Sequence, residues 1–137
     1  MIAGLFFNDV PHLTAVLYLP RLKKGRRVHL LVDTGSGHSI IHPAVANQLA
    51  LDFVNDPKDQ PRETVKGIGG EEEVWLEEAE ITFRCKDGQP FPIQQQIWIA
   101  IPMGDNEHLQ SLLGRDVLHA FRLLYSFPNR ELTLGQP

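Results

Sequence analysis

The sequence predicts a mainly β fold, and three observations lead to this prediction. Apolar residues come in short runs that are rich in β-branched and aromatic side chains, which favour strands. Turn-forming residues separate neighbouring runs. The chain has 137 residues, which suits one compact core better than two. The predicted strand segments are Leu13 to Leu19, Val28 to Val32, Val74 to Phe83, Phe91 to Ile101 and Leu132 to Leu134.

The composition is that of an ordinary soluble domain, with 42% hydrophobic and 22% charged residues and no low-complexity tract or repeat. We therefore expect a single domain over residues 1–137. The polar stretch from Asn55 to Arg62 contains two prolines and is expected to form a surface loop. It is not a domain boundary, because neither flank could bury a core on its own.

Charge and cysteine content argue against several classes of protein. A formal net charge of −4 gives no reason to expect nucleic-acid binding, and the basic cluster from Lys23 to Arg27 is expected at a solvated hairpin tip. The single cysteine, Cys85, rules out an intramolecular disulfide framework. No apolar run approaches the roughly 20 residues that span a bilayer, and no signal-type segment is present. We expect no nucleic-acid partner, no membrane partner and a cytoplasmic location.

Turns and helices are predicted from glycine, proline and helix-forming residues. Lys24-Gly25 and Asp87-Gly88 tolerate positive φ, so each is expected to reverse the chain within a hairpin. Pro43 suits the first turn of a helix, and good helix formers continue to Ala50. A second short helix is predicted from Asp116 to Phe121, directly after the Gly114-Arg115 pair.

The strongest functional signal is an acid at the end of an apolar strand, in Leu30-Leu31-Val32-Asp33-Thr34-Gly35-Ser36-Gly37. Burying a carboxylate costs free energy unless hydrogen bonds or charges compensate for it, so an acid in this position is a candidate site. Taken alone, Asp33 is explained as well by a turn aspartate that accepts backbone N–H groups.

Three motifs, taken together, favour the functional interpretation. Asp33-Thr34-Gly35-Ser36 resembles the catalytic signature of aspartic proteases, and Gly67-Ile68-Gly69-Gly70 resembles the flap tip of the retropepsin family. Leu112-Leu113-Gly114-Arg115-Asp116 resembles the segment that precedes the C-terminal helix of that family. Each motif is short, but all three occur in the order of the family. The resemblance to the retropepsin-like aspartic proteases spans about residues 13 to 135.

The resemblance implies an all-β fold: a closed β-barrel or sandwich subunit with a flap hairpin and a short C-terminal helix. It also implies a symmetric homodimer that hydrolyses peptide bonds in extended polypeptides, with no cofactor and no metal. In such a dimer, water would be activated between the Asp33 carboxylates of the two subunits. By the same resemblance, Thr34 would interlock the Asp-Thr-Gly loops of the two subunits and Gly35 would permit their close approach. Ser36 would hydrogen-bond the outer oxygen of Asp33. The alternative is the same fold used as a non-catalytic dimerisation or protein-binding module.

The same resemblance makes Gly67, Ile68, Gly69 and Gly70 a mobile flap tip whose backbone N–H groups bind the substrate. From the residues alone, a plain glycine turn is the alternative. The sequence departs from the family at Glu71-Glu72-Glu73, where an apolar residue is common. We expect these acids to form a solvated face on the outside of the hairpin. The other outcome is weaker closure over apolar peptides or a preference for basic ones.

Gly114, Arg115 and Asp116 are expected to support the site rather than to take part in catalysis. By resemblance, the glycine lets the chain pass close to the Asp33 loop. The arginine braces the subunit and its dimer contacts by ion pairing.

The residues near Asp33 fit three other kinds of site less well. Gly35-Ser36-Gly37 lacks the third glycine of a dinucleotide-binding loop. Asp33, Ser36 and His38 lie within one turn, whereas the members of a hydrolase triad come from separate elements. His38 and His42 have the spacing of zinc ligands on a helix, but they precede the predicted helix and no third ligand is indicated.

Overall fold

The computed structural model of the chain describes residues 1–67 and 70–137. Within these residues the protein is built mainly of strands, as predicted, with two short helices. The strands are β1 (Ile2–Ala3), β2 (Leu5–Phe7), β3 (Val10–Leu19), β4 (Lys24–Val32), β5 (Ile40–Ile41), β6 (Arg62–Gly67), β7 (Gly70–Arg84), β8 (Pro90–Ala100), β9 (Leu112–Leu113), β10 (Arg122–Ser126) and β11 (Glu131–Gly135). The helices are α1 (Pro43–Gln48) and α2 (Arg115–Leu118).

One of the two predicted hairpin reversals is confirmed and the other is displaced. Gly88, with φ of 90°, lies in the turn between β7 and β8, as expected. The prediction for Lys24-Gly25 is wrong, because the turn occupies residues 20–23 and Lys23 adopts the positive φ. Gly25 is instead paired with Tyr18 inside the β3–β4 ladder. A Cβ on Gly25 would lie 3.0 Å from the Tyr18 ring, so this glycine serves close packing rather than chain reversal.

Both helices lie where the sequence placed them, but they are shorter. Helix α1 begins at Pro43 and ends at Gln48, before Ala50 turns to a φ of 57°. Helix α2 stops at Leu118 rather than Phe121, because the Ala120 and Phe121 amides bond three residues back instead of four. It is followed by the β10–β11 hairpin, so the short helix is not the last element of the chain.

The strand pairings form a closed ring. Strands β3, β4, β9, β5, β8 and β7 are hydrogen-bonded in that order, and β7 pairs back with β3. The β4–β9 and β5–β8 pairs are parallel, and the other pairs of the ring are antiparallel. This ring fits the closed barrel that the resemblance implies. Strand β2 extends the ring beside β3, and β6 extends it beside β7.

The termini form a second, three-stranded sheet in the order β1-β11-β10. Leu132 and Leu134 of β11 are buried in the main hydrophobic core, together with Ile2 of β1. The terminal sheet therefore shares its core with the ring. Neither helix of the described residues is long and apolar enough to cross a membrane.

Most of the apolar side chains pack in one core inside the ring, with Trp75 and Phe83 among its largest fully buried members. A smaller cluster lies beneath the β6–β7 hairpin. Its buried members are Ile40, Val74 and Ala100, and partly buried Val65, Trp98 and Leu112 pack against them. This second cluster joins the hairpin to β5, β8 and β9.

A buried ion pair fastens the β3–β4 turn to the ring. The side chain of Glu77 on β7 is 1% exposed and accepts a hydrogen bond from the Trp75 indole at 3.1 Å. The Arg21 guanidinium donates to both carboxylate oxygens of Glu77, at 3.0 and 2.6 Å, and to the backbone carbonyl of Asp56. The hydrogen bond to Glu77 raises the pKa of Arg21 above its ordinary value. The carboxylate is thus buried with its charge compensated.

We predict that Arg21→Ala lowers the free energy of unfolding by about 2–3 kcal/mol, because it leaves the Glu77 carboxylate buried without its cation. This loss is small for the breaking of a buried ion pair, because the Arg21 side chain is itself 36% exposed. Urea denaturation measures the difference, with Arg27→Ala on the exposed face of β4 as the matched control. Equal losses in the two variants would contradict a stabilising role for the Arg21 contact.

Candidate active site

Asp33 lies where two parallel strands end side by side. Strand β4 pairs with β9 through Leu31 and Leu112 and through Val32 and Leu113. The Asp33 N–H continues this pairing by donating to the Leu113 carbonyl at 3.0 Å. The pairing fixes the backbone of the acid, and its side chain is half-buried at the point where the chain leaves the sheet.

The loop after Asp33 folds back on the carboxylate. The Gly35 N–H donates to Oδ1 of Asp33 at 2.9 Å, and the Ser36 N–H donates to the Asp33 carbonyl at 3.2 Å. A Cβ on Gly35 would lie 3.2 Å from the same Oδ1, so a larger residue would crowd the acid. The Gly35 N–H is the one hydrogen-bond partner of the carboxylate among residues 1–67 and 70–137. Most of the bonding capacity of the Asp33 carboxylate is thus left for a bound molecule.

The expected contact between Ser36 and Asp33 is not present, and this prediction is wrong for the single chain. The Ser36 hydroxyl donates to the His38 carbonyl at 2.7 Å. A hydroxyl has one proton to donate, so this bond leaves none for the carboxylate. Ser36 therefore holds the shape of the loop and does not bind the acid.

Gly114 passes against the loop at a distance that excludes any side chain. A Cβ at this position would lie 2.6 Å from the carbonyl carbon of His38 and 2.9 Å from the Ser36 carbonyl oxygen. The φ of Gly114 is −96°, so its backbone conformation is open to any residue and the restriction is purely steric. The expectation that this glycine allows a close approach to the Asp33 loop is confirmed.

Ser39 and Asp116 form a buried junction behind the loop that sequence reasoning missed. The Ser39 hydroxyl accepts the Gly114 N–H at 3.0 Å and donates to Oδ1 of Asp116 at 2.7 Å. The Ser39 N–H donates to Oδ2 of Asp116 at 2.8 Å. These bonds tie α2 to the Asp33 loop, which explains the supporting role assigned to Asp116. Ser39, between His38 and Ile40, carries no sequence signal for this role.

Arg115 supports the loop differently from what was expected. Its guanidinium donates to the Thr34 carbonyl at 2.8 Å, and its N–H donates to the Ser36 carbonyl at 2.8 Å. None of the salt bridges formed among the described residues includes Arg115. Within the chain, the predicted ion pairing of Arg115 is wrong and is replaced by hydrogen bonds to carbonyl groups of the loop.

The predicted flap corresponds to the β6–β7 hairpin. Gly67 and Gly70 are the last paired residues of its ladder, and Gly70 has a φ of 107°. Ile68 and Gly69 lie outside the described residues. Val65 on the inner face packs in the small cluster beneath the hairpin, beside Leu112 of β9. Because β9 also flanks the Asp33 strand, the hairpin is attached to the same part of the sheet as the acid.

The expectation that Glu71, Glu72 and Glu73 all face solvent is wrong for the middle residue. Glu71 and Glu73 are exposed, and Glu73 pairs with Arg62 across the hairpin at 3.2 Å. Glu72 shares the face of Val74, since side chains alternate along a strand, and its carboxylate contacts His42 at 3.1 Å. One acid of the run therefore belongs to the inner face of the hairpin.

The two histidines near the loop have separate surroundings. His38 is exposed and stacks on Trp98, with ring centroids 3.9 Å apart. His42 is buried immediately before α1. Among the residues that the structure describes, no group of three or more histidine, cysteine, aspartate or glutamate side chains is arranged to hold a metal ion.

An apolar groove of about 340 Å³ adjoins the Asp33 loop. It is lined by Thr34 together with Pro11, Val32, Leu123 and Tyr125. Tyr125 and its neighbour Leu124 are large apolar residues with exposed side chains. The surface beside Thr34 is thus unusually apolar for an exposed region.

Comparison with known families agrees with this geometry. A family model described as aspartyl protease matches residues 21–117, which include the Asp33 loop, the β6–β7 hairpin and Gly114-Arg115-Asp116. The chain belongs to the aspartyl protease family. As a member of this family it is an aspartic-type endopeptidase, and the enzyme class predicted from sequence is confirmed. A search of curated proteins found no match to the chain.

Two solved structures of aspartic proteases are similar to this chain. A retropepsin-like aspartic protease from Rickettsia conorii aligns over 97% of this chain and 88% of its own, with a TM-score of 0.57 and 15% identity. The EIAV protease in complex with the inhibitor HBY-793 aligns over 77% of this chain and 84% of its own, with a TM-score of 0.46 and 21% identity. The Rickettsia structure confirms the retropepsin-like fold that the motifs implied for this aspartyl protease.

We predict that Gly114→Ala destabilises the aspartyl protease by about 2 kcal/mol or more, because the new methyl group meets backbone atoms that cannot rotate away. Gly135→Ala is the matched control, since its Cβ would find its nearest neighbour 3.9 Å away, at the Met1 side chain. Chemical denaturation of both variants gives the two free energies. If Gly114→Ala is as stable as Gly135→Ala, the close approach is not a constraint on the fold.

Proposed function

We propose that the protein is a homodimeric aspartic endopeptidase in which the Asp33 carboxylates of two subunits form one active site. The observation that carries this proposal is the Asp33 loop itself. The chain contains one Asp-Thr-Gly sequence, and its carboxylate has a single hydrogen-bond partner among the described residues. A water-activating aspartate pair needs a second acid in the same setting, and a second copy of the chain supplies it.

Two neighbouring carboxylates do not readily ionise together, so the pair holds one proton. The ionised carboxylate accepts a proton from water, which then attacks the peptide carbonyl carbon. The protonated carboxylate donates its proton to the carbonyl oxygen. The Gly35 N–H orients Oδ1 of Asp33 and leaves the other oxygen available for the water. The two acids titrate as a unit.

The groove beside Thr34 supports the pairing of subunits on this face. Thr34 is exposed at the tip of the loop, and the groove brings Pro11 and Leu123 next to it. Burial of the exposed Tyr125 side chain against a second copy would remove apolar area from water. The same contact would bring the two Thr34-bearing loops together, as an active site shared between subunits requires.

The β6–β7 hairpin is the proposed flap, and extended polypeptides are the proposed substrates. Strand β6 is paired only with β7 among the described strands, so it forms an edge of the ring. Extended peptides bind to such edges through backbone hydrogen bonds. The hairpin tip between Gly67 and Gly70 is proposed to close over a peptide held above Asp33.

We predict that the wild-type protein cleaves members of an unbiased peptide mixture and that Asp33→Asn lowers the rate at least about a hundredfold, as expected for loss of a general acid–base group. New peptide termini are scored by mass spectrometry, with and without the transition-state mimic pepstatin. Asp105→Asn, at an exposed acid of another loop, is the matched control and should cleave normally. A wild-type dimer that cleaves no peptide would instead indicate a non-catalytic module.

We predict that Asp33→Asn subunits inactivate wild-type subunits in mixed dimers, because an acid paired with an amide cannot share the catalytic proton. With free exchange and random pairing, activity varies as the square of the wild-type fraction. An equal mixture then retains roughly a quarter of the all-wild-type rate at fixed total protein. Cleavage is measured across mixing ratios, after tagged chains have shown that subunits exchange. Activity proportional to the wild-type fraction would show that each subunit acts alone.

A further inference from the structure

A largely buried polar cluster joins the middle of the β6–β7 hairpin, at the Val65–Glu72 pair, to the rest of the ring. Glu72 lies two residues after Gly70, and its side chain is 13% exposed. His42, which precedes α1, is 3% exposed. Nε2 of His42 lies 3.1 Å from Oε2 of Glu72. This contact is made by two titratable groups that the proposed reaction does not use.

The geometry requires a proton between these two side chains. Nδ1 of His42 lies 2.7 Å from the Gln110 carbonyl, which can only accept, so Nδ1 carries a hydrogen. A neutral imidazole has no second hydrogen to offer to Glu72. A hydrogen bond between Nε2 and Oε2 therefore needs one additional proton, held either by His42 as an imidazolium or by Glu72 as a carboxylic acid.

His12 shows why this requirement is specific to the His42 pair. Its Nδ1 lies 2.9 Å from the Val10 carbonyl and its Nε2 lies 2.7 Å from Oε1 of Gln110. The oxygen and nitrogen of a side-chain amide exchange places on rotation, so Gln110 can present its NH₂ group and donate to Nε2 without an additional proton. A carboxylate has no N–H group to present to the ring. Glu72 must therefore share a proton with His42, or its negative charge faces the lone pair of Nε2.

Asn106 extends the cluster to a third segment. This 2% exposed residue donates from Nδ2 to Oε1 of Glu72 at 2.9 Å and to the Ile101 carbonyl at 3.0 Å. Its Oδ1 accepts the Met103 N–H at 2.9 Å, which fixes the orientation of the amide. The Glu72 carboxylate thus bonds on one side to the segment before α1 and on the other to the loop between β8 and β9.

The remaining groups that touch the His42–Glu72 pair are uncharged. The His42 N–H donates to the Ser111 hydroxyl at 3.0 Å. The other charged and titratable groups on the surrounding elements face elsewhere or are exposed. On the hairpin these are the exposed Arg62, Glu63, Lys66, Glu71 and Glu73, of which Glu63 lies opposite Val74 on the same face as Glu72. On β3 the buried His12 faces Gln110, and on the loop Asp105, Glu107 and His108 are exposed.

The cluster is anchored close to the catalytic strand. His42 directly follows β5, whose Ile40 pairs with Leu112 of β9. Strand β9 pairs with β4, which leads into Asp33. The His42–Glu72 contact therefore connects the middle of the hairpin to the strands that position Asp33.

We propose that His42 and Glu72, with Asn106, form a proton-dependent latch that holds the middle of the β6–β7 hairpin against the segment that precedes α1. Glu72 and His42 are positioning residues and do not touch the substrate. The inference rests on the proposed role of the hairpin as a flap. While the shared proton is bound, the His42–Glu72 hydrogen bond holds strand β7 of the hairpin in place. When rising pH removes the proton, the Nε2 lone pair faces a carboxylate, the contact becomes repulsive, and the hairpin loosens at Glu72.

Glu72→Gln separates this latch from a purely structural contact. The glutamine amide can donate to Nε2 of a neutral His42, and its oxygen can accept from Asn106, so every bond is kept without a shared proton. Between about pH 6 and about pH 9 we expect the KM of the wild type to rise about tenfold relative to that of Glu72→Gln. The Asp33 pair is common to both proteins, so its titration cancels in this ratio. Glu72→Leu removes both bonds and should have the raised KM at every pH.

Glu71→Gln is the matched control, because it removes the same charge one residue away, on the exposed outer face of the hairpin. Its KM should follow that of the wild type across the pH range. Identical KM profiles for the wild type and Glu72→Gln would overturn the latch, as would a Glu71→Gln profile matching that of Glu72→Gln.

Hydrogen exchange gives a readout that does not depend on peptide cleavage. Protection factors of the β6–β7 amides should fall with rising pH in the wild type and stay level in Glu72→Gln, relative to those of the β10–β11 hairpin. If no peptide is cleaved but this difference is found, the latch stands and the proposed proteolytic function fails. If peptides are cleaved and protection is equal at all pH values, the latch fails and the proposed function stands.

Discussion

The contact of Gly114 with the Ser36 and His38 carbonyls is the constraint on which the site depends. It allows β9 to run beside β4, so that the Asp33 N–H bonds to Leu113. It also brings the start of α2 close enough for Arg115 and Asp116 to bond the loop backbone. A larger residue at this position would separate the two strand ends. The acid, its loop and the helix that supports it therefore form one packed unit.

The loop is held by hydrogen bonds to its backbone, and this leaves its functional atoms available. Arg115, Ser36 and Ser39 all bond to main-chain groups or to Asp116. The Asp33 carboxylate takes part only through Oδ1 among the described contacts. A rigid backbone around an open carboxylate suits a site that must bind water and a second acid without rearrangement.

Strand β7 carries two acids that are shielded from solvent on opposite faces, and their contacts have different consequences. Glu77 meets Arg21, a permanent cation, so its pairing persists over the range of pH in which proteins fold. Glu72 meets His42, which is a cation only when it is protonated. The first contact attaches a turn to the core. The second lies in the middle of the hairpin, where a change in protonation can alter how the hairpin is held.

Local patterns in the sequence determined the mainly β fold, the start of α1 and the position of the Asp33 loop, whereas the role of Gly114 came from the family resemblance. Alternation and turn chemistry act between neighbouring residues, so they can be recognised without knowing the fold. Strand β11 was predicted at Leu132 to Leu134. The short strands β5 and β9 and strand β10 were not predicted, because two-residue strands have no period and β10 has an unremarkable composition.

Only the tertiary structure decided which partners the polar side chains take. Asp116 bonds to Ser39 across 77 positions of sequence, and Arg115 bonds to Thr34 across 81. The Glu71-Glu72-Glu73 run shows the same limit. Side chains alternate along a strand, so Glu72 must lie on the opposite face from Glu71 and Glu73. This pattern does not tell which of the two faces is buried. The inner face was selected by the packing of Val65 and Val74 and by the position of His42, which lies 30 residues away.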